Sequence, residues 1–319
     1  MTDSILLTGA MGFIGAAIAA DLKCSKYRVK SAVRAVSLHS NTNDQVPIAD
    51  ICSRTDWASA LAGVNVVIHT AAHVHVMNDI ARNTIEMFRE VNTFGTLNLA
   101  RQAAAVGAKR FIFISSIKVN GESTSLNHTF KYNDVCMPND PYGVSKHEAE
   151  IGLQKIAVET GMEVVIIRPV LVYGPGVKGN FKSLINFVRN SIPLPLGNIK
   201  NKRSLVGLNN LVDLIITCID HPSAANQTFL VSDDHDVSTT ELLQKMGKAF
   251  GKKLFLIPVP VSILQFMSGI FGKSAELDRL CGSLQVDIEH TKNTLNWTPP
   301  FTMEQQLSNI ADSFSNKEA

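Results

Sequence analysis

Tyr142 and Lys146 stand four residues apart in the segment PYGVSK, the spacing that puts two side chains on one face of a helix. A phenol near its reference pKa of about 10 is a poor base at neutral pH. A lysine cation one turn away stabilises the phenolate and lowers that value. The pair therefore reads as a couple that moves a proton on and off a hydroxyl. Ser116, at the end of an apolar run RFIFIS, is placed to hydrogen-bond the reacting oxygen and fix its angle. A second constellation opens the chain. In TGAMGFIG, Gly9, Gly12 and Gly15 recur every three residues directly after an apolar run and at the start of a helical pattern. Gly9 permits the tight turn, Gly12 lets the backbone approach a pyrophosphate, and Gly15 permits close helix–strand packing. The N–H groups of the following turn, at Phe13 and Ile14, offer hydrogen bonds and a positive partial charge to phosphate. One chain with both constellations in this order reads as an enzyme moving a hydride between a nicotinamide dinucleotide and an alcohol or ketone.

The elements that must carry these residues are legible as an alternation. Short apolar runs lie at Ser4–Thr8, Arg28–Arg34, Val46–Ile51, Asn65–Thr70, Arg110–Ser115 and Glu163–Arg168. Helical patterns fall between them at Phe13–Leu22, Asp56–Ala62, Asn83–Val106 and from Pro141 to about Thr160, with a polar loop at Ser37–Gln45. Near-continuous apolar strands alternating with helices predict an α/β fold, a Rossmann-type doubly wound parallel sheet. We divide the chain into a dinucleotide-binding domain, residues 1–169, and a smaller, mainly helical substrate-binding part, residues 170–319, some of whose segments return to the core sheet. Helices are expected there near Phe181–Asn190, Leu208–Asp220, Ser238–Phe250, Val261–Phe271 and Met303–Phe314, with a strand at Thr228–Ser232. The stretch Phe255–Phe271 is apolar but broken by Pro258 and Pro260. It reads as a buried helix and not as a membrane span.

Composition narrows the class. A chain of 319 residues, 45% hydrophobic, carries a net charge of +2. That gives no strong electrostatic case for nucleic acid or an anionic membrane. The five scattered cysteines form no CxxC pair and read as reduced thiols of a cytoplasmic protein; no secretory signal is expected. No metal is expected, and His69, His73 and His75 are not read as ligands. At the end of the second run an acid would favour NAD(H) and a base would favour NADP(H). Arg34 stands there with no acid next to it in sequence, which tilts the reading to NADP(H) over NAD(H). Asp50, with Ile51 beside it, ends the third run and is placed to accept from an adenine amino group.

These motifs resemble those of the extended short-chain dehydrogenase/reductases of the nucleotide-sugar epimerase/dehydratase group. The resemblance spans nearly the whole chain: TGAMGFIG, HTAA at His69–Ala72, VNTFGT at Val91–Thr96, ISSIKVNGE at Ile114–Glu122, PYGVSK, and RPVLVYGPG at Arg168–Gly176. It implies catalysis by Ser116, Tyr142 and Lys146. It implies cofactor contacts at Thr70, Ala71, Ala72 and Pro169, and UDP-sugar contacts from Asn180, Arg203 and Arg279. It also implies a homodimer built on two helices per subunit, the long helix Asn83–Val106 and the helix holding Tyr142. Where 4,6-dehydratases of this group carry an Asp-Glu pair after the catalytic hydroxyl residue, this chain has Ile117 and Lys118, which cannot do that work. Leu171 stands where epimerases often have a substrate-contacting Asn. Two activities at C4 of a UDP-hexose, expected to be N-acetylated, remain. One is reduction of a 4-keto sugar; the SSIKVNGE and GPGVKGNF segments look like the branch that reduces UDP-4-keto-6-deoxy-N-acetylglucosamine for surface polysaccharide. The other is 4-epimerisation on tightly bound NAD. Arg34 tilts the sequence reading to the reductase. A non-catalytic NADP-sensing protein is the third reading, disfavoured by the intact Ser116, Tyr142 and Lys146.

Overall fold

The computed structural model describes residues 3–34, 45–74, 84–125, 128–270 and 274–318. His75, most of the loop expected at Ser37–Gln45, and Asn83 lie outside them. Strands β1 (Ser4–Thr8), β2 (Arg28–Val33), β3 (Gln45–Pro47), β4 (Val66–His69), β5 (Arg110–Ile114) and β6 (Glu163–Pro169) alternate with helices α1 (Phe13–Leu22), α2 (Ala58–Leu61), α3 (Thr84–Phe88), α4 (Thr96–Ala105) and α5 (Pro141–Thr160). The strands form one parallel sheet in the order β3-β2-β1-β4-β5-β6-β9, with β9 spanning Thr228–Val231. The order reverses between β1 and β4, so a crevice opens beyond their carboxyl ends, where doubly wound sheets bind ligands.

Sequence explains the sheet directly. β1, β4 and β5 are buried along their full length, because helices cover both faces. One face packs Ile5, Leu7, Ile68, Ile112 and Ile167 against α1 and α7 (Leu208–Asp220). The other packs Leu6, Val67, Phe111 and Phe113 against α2, α4 and α5. The part after residue 169 therefore contributes both a covering helix and the edge strand β9 to the main layers. Its own core gathers Phe181, Ile185, Leu243, Met246, Leu307 and Ile310 from α6 (Gly179–Arg189), α8 (Thr239–Ala249) and α12 (Met303–Glu318). Two short strands, β7 (Leu171–Tyr173) and β8 (Leu205–Gly207), pair in parallel beside the cleft.

Three expectations change. The run at Val46–Ile51 gives only a three-residue strand. Its last ladder bond is Ile48 N–H to Val33 O at 2.9 Å, after which the chain turns along the cleft carrying Asp50 and Ile51. The single helix expected over Asn83–Val106 contains a π-helical turn at Arg89–Gly95 between α3 and α4. The helix expected to be buried at Val261–Phe271 is instead a surface helix, α9 (Val261–Ile270), with Ile263 and Phe266 exposed at 49% and 73%. It packs against α10 (Ser274–Cys281), which, like α11 (Glu289–Leu295), has no counterpart in the sequence reading.

Candidate active site

The helix carrying Tyr142 is fixed at its first residue. Asp140 caps α5 by accepting from Gly143 N–H at 2.7 Å, and Pro141 takes the first helical position, where its missing N–H costs nothing. Tyr142 thus lies in the first turn and Lys146 one turn later. The π turn then locks this helix. Thr93 Oγ1 donates to Ser145 O at 2.8 Å. The Asn92 amide bonds both Ser145 Oγ, at 3.1 Å, and the backbone of His73. Ser145 Oγ donates to Tyr142 O at 2.8 Å. The ring of Phe88 meets Tyr142 edge-on, 6.1 Å between centroids. π turns recur at functional sites, and Asn92 and Thr93 of VNTFGT, which sit in this one, are clamps on α5.

Lys146 is 1% exposed. Its Nζ donates to Ile114 O at the end of β5, 2.9 Å away. It lies 4.4 Å from the Phe113 ring centroid and 5.9 Å from that of Tyr142. Burial pushes its pKa down to about 7, opposed by the Glu150 carboxylate. Burial also pushes the Tyr142 phenol up, helped by Asp140. Burial thus works against the sequence expectation that the ammonium makes the phenol acidic, because dehydration disfavours the charged form of each group. Ser116 completes the group at the end of β5, where its Oγ accepts from Lys118 N–H at 3.2 Å and caps the turn Ile117–Val119.

One cleft of about 1500 Å³ is lined by all of the predicted residues: Gly9, Gly12, Phe13, Ile14, Gly15, Arg34, Asp50, Ile51, Thr70, Ala71, Ala72, Ser116, Tyr142, Lys146, Pro169, Asn180, Arg203 and Arg279. Its glycine turn fits a dinucleotide. Gly9 has φ +73°, and a Cβ there would meet Thr70 Oγ1 at 2.5 Å. A Cβ on Gly15 would meet Gly9 O at 2.1 Å. On Gly12 the nearest protein atom would be Gly9 O at 3.1 Å, so a side chain there would mainly fill the cradle. The first turn of α1 has no side-chain cap and no acidic residue, leaving its N–H groups to an anion. At the adenine end the structure alters the sequence picture. No acid adjoins Arg34 in sequence, but the fold brings Asp50 Oδ1 to 3.6 Å from its guanidinium, with both side chains exposed.

At the opposite end, Arg203 Nη1 donates to Arg279 O at 2.7 Å and Gly282 O at 3.1 Å, which ties the segment leading into β8 to the end of α10. Burial alone pushes its pKa down. A part-buried guanidinium with no carboxylate paired to it among the described residues suits a diphosphate. Asn180 lies in the first turn of α6, whose N-cap is Lys178, so Asn180 is not a cap. Arg279 is exposed on α10.

Several lining residues were not singled out as contacts by sequence reasoning. Lys118, in place of a dehydratase acid, is paired with Asp140 and, at 2.8 Å, with Glu122. Leu171, half exposed, lines the cleft. Behind the site, Glu150 and Arg168 form a buried bidentate pair at 3.0 and 2.5 Å, and Ser115 Oγ donates to the same carboxylate at 2.5 Å. Potential ligand atoms of Cys136, His147 and Glu150 lie within 4.8 Å of one another. However, Arg168 donates to Cys136 Sγ at 3.3 Å and to Glu150, so a guanidinium already occupies the cation's place. His69, buried between Thr8 Oγ1 at 2.7 Å and Thr96 Oγ1 at 2.9 Å, is pushed down to about 3 by burial. It is a neutral hydrogen-bonding core residue.

Parallel sheet, glycine turn and Ser-Tyr-Lys group together define a dinucleotide-dependent oxidoreductase site of the short-chain dehydrogenase type. Residues 5–232 match the model of the NAD dependent epimerase/dehydratase family, and the chain belongs to that family. It is 52% identical over 319 residues to a UDP-glucose 4-epimerase of Vibrio cholerae, covering 98% of this chain and 96% of the relative. It is 26% identical over 325 residues to N-acetyl-alpha-D-glucosaminyl-diphospho-ditrans,octacis-undecaprenol 4-epimerase of Escherichia coli O157:H7, covering 96% and 94%. Its fold matches that of UDP-glucuronic acid 4-epimerase from Bacillus cereus in complex with NAD, with TM-score 0.78 and 20% identity over 99% of this chain and 100% of the other. The chain is accordingly an NAD-dependent enzyme of the extended short-chain dehydrogenase/reductase type, and none of its helices is long and apolar enough to cross a membrane among the described residues.

Proposed function

We propose that this chain is a UDP-hexose 4-epimerase that keeps its NAD through turnover. What carries the proposal is one continuous cleft with a pyrophosphate cradle at one end, the Tyr142–Lys146 pair on its wall and the Arg203 guanidinium at the other end. The 52% relative supports the epimerase over the reductase that Arg34 favoured in sequence. That preference for NADP(H) weakens once Asp50 stands 3.6 Å from Arg34, because a carboxylate repels a 2′-phosphate.

The glycine turn, Asp50, Ile51, Thr70–Ala72 and Pro169 would hold the dinucleotide. When bound, its nicotinamide supplies a reversible hydride acceptor for C4. Tyr142 moves the O4 proton. Lys146, one turn along α5 and held by the Ile114 carbonyl, supplies positive charge close to the phenol, which favours its charged form while the O4 proton moves. Ser116 donates to O4 and fixes its angle. Arg203, with Asn180 and Arg279, binds the diphosphate and leaves the sugar free to present either face. Homodimerisation is part of this reading, because Met87 and Phe94 on the α3–α4 helix and Ile151 and Val158 on α5 are exposed apolar residues on the two helices implied for that contact.

Incubating the purified chain with UDP-glucose and no added cofactor tests the proposal. UDP-galactose should accumulate to equilibrium. Turnover only with a 4-keto sugar and stoichiometric NADPH would replace the epimerase with the reductase.

A further inference from the structure

The net charge of +2 hides a strong asymmetry. Residues 164–212 contain seven Lys and Arg and no Asp or Glu, and residues 242–275 contain five and none. These two stretches carry +12. The remaining 18 basic and 28 acidic residues carry −10. The fold brings the two basic stretches together. Leu194 N–H donates to Phe255 O at 3.0 Å, Ile257 N–H to Leu194 O at 2.8 Å, and Gly197 N–H to Ile257 O at 3.0 Å. Along this seam Leu194 and Leu196 turn inward, at 8% and 6% exposure. Ile192, Phe255 and Ile257 turn outward, and the adjoining α9 adds Ile263 and Phe266. Phe255 and Phe266 expose 66% and 73% of their surface, a large outlay of apolar area for a surface with no partner. Exposed Lys252 and Lys253 precede the seam on one strand, and exposed Lys200 and Lys202 follow it on the other. None of these four has a carboxylate partner among the described residues.

We infer that this face, Ile192–Lys202 with Lys252–Phe266, docks the enzyme on an anionic phospholipid surface. Exposed apolar side chains flanked at both ends of the seam by exposed lysines are the pattern of an interfacial membrane contact, in which aromatic and aliphatic groups enter the headgroup boundary and lysines meet lipid phosphate. The face is continuous with the cleft, because α9 packs on α10 and α10 carries the lining residues Arg279 and Leu280. Docking would therefore hold the substrate end of the cleft near the bilayer. This inference stands apart from the choice between epimerase and reductase.

The test is vesicle co-sedimentation of the full chain. Wild type should bind phosphatidylcholine vesicles containing about one-third phosphatidylglycerol and not phosphatidylcholine alone, with binding that weakens as salt rises. Lys252→Glu with Lys253→Glu, and separately Phe255→Ser with Phe266→Ser, should each weaken binding by at least about tenfold. Turnover of free UDP-sugar should be unchanged in both, which reports an intact fold. No sedimentation of wild type with the anionic vesicles overturns the inference, as does binding that the variants leave unaltered. A change of oligomeric state in the Phe255/Phe266 variant without loss of vesicle binding would assign the face to a second copy and also overturn it.

Discussion

The chemistry at Tyr142 and Lys146 depends on burial as much as on spacing. The four-residue interval is visible in sequence and so is its reading as an acid/base pair. The balance of dehydration against attraction is not, because it is set by Phe113, Phe88 and the Ile114 carbonyl, which converge from other elements. Tyr142→Phe should lower kcat by roughly a hundred- to ten-thousandfold while retained NAD, read by absorbance after denaturation, stays at the wild-type level; undiminished kcat would remove the phenol from the mechanism. Lys146 gives a prediction with a sign. Its pKa is about 7 in the folded chain against a reference of 10.5, so between those values the unfolded chain binds the extra proton. This group's contribution to stability therefore rises with pH across that window and is least below about pH 7. Lys146→Met should abolish turnover yet raise Tm, by more at pH 6 than at pH 10. A lower Tm at pH 6 would mean that the cation is not held at a cost.

At the scale of elements, the strands and α1 were legible because a parallel sheet covered on both faces writes itself as apolar runs, and because only glycine satisfies the turn between β1 and α1. The two ends of that turn make different demands. A Cβ at Gly15 would meet a backbone oxygen at 2.1 Å, whereas at Gly12 the nearest atom is 3.1 Å away. Gly12→Ala should therefore change the stability of the cofactor-stripped chain by no more than about 1 kcal/mol but strip retained NAD from the purified protein. Gly15→Ala should destabilise the stripped chain by about 1–3 kcal/mol. Denaturant midpoints with and without NAD separate the two, and equal losses in both variants would contradict the assignment of Gly12 to the cradle. The π turn at Arg89–Gly95 was not legible, since Asn92 and Thr93 look like ordinary helix residues until Ser145 and the backbone of His73 are seen as their partners. Asp50 escaped correct weighing for the same reason. It is 16 positions from Arg34 in the chain, yet 3.6 Å away in space.

Across the whole molecule, one cleft gathers the first turn, the end of β5, the start of α5 and residues beyond 170, and segments on both sides of residue 169 share the main sheet and its core. The C-terminal part was the least legible, because its short strands β7 and β8 and its helices α10 and α11 rest on contacts from distant segments and lack a periodic pattern of their own. The reading of Phe255–Phe271 as buried failed because hydrophobicity alone cannot tell an inward helix from an outward one. The apolar faces of the α3–α4 helix and α5 predict a dimer, and light scattering at micromolar concentration should give twice the chain's 34.7 kDa; a monomer mass would contradict it. The central claim is that C4 gives up its hydrogen and takes the same one back within a single site. UDP-glucose deuterated at C4, turned over with no added cofactor and analysed by mass spectrometry, should yield UDP-galactose that retains the label. Loss of the label to solvent or to free NADH, or no product unless NADPH is supplied, would contradict it.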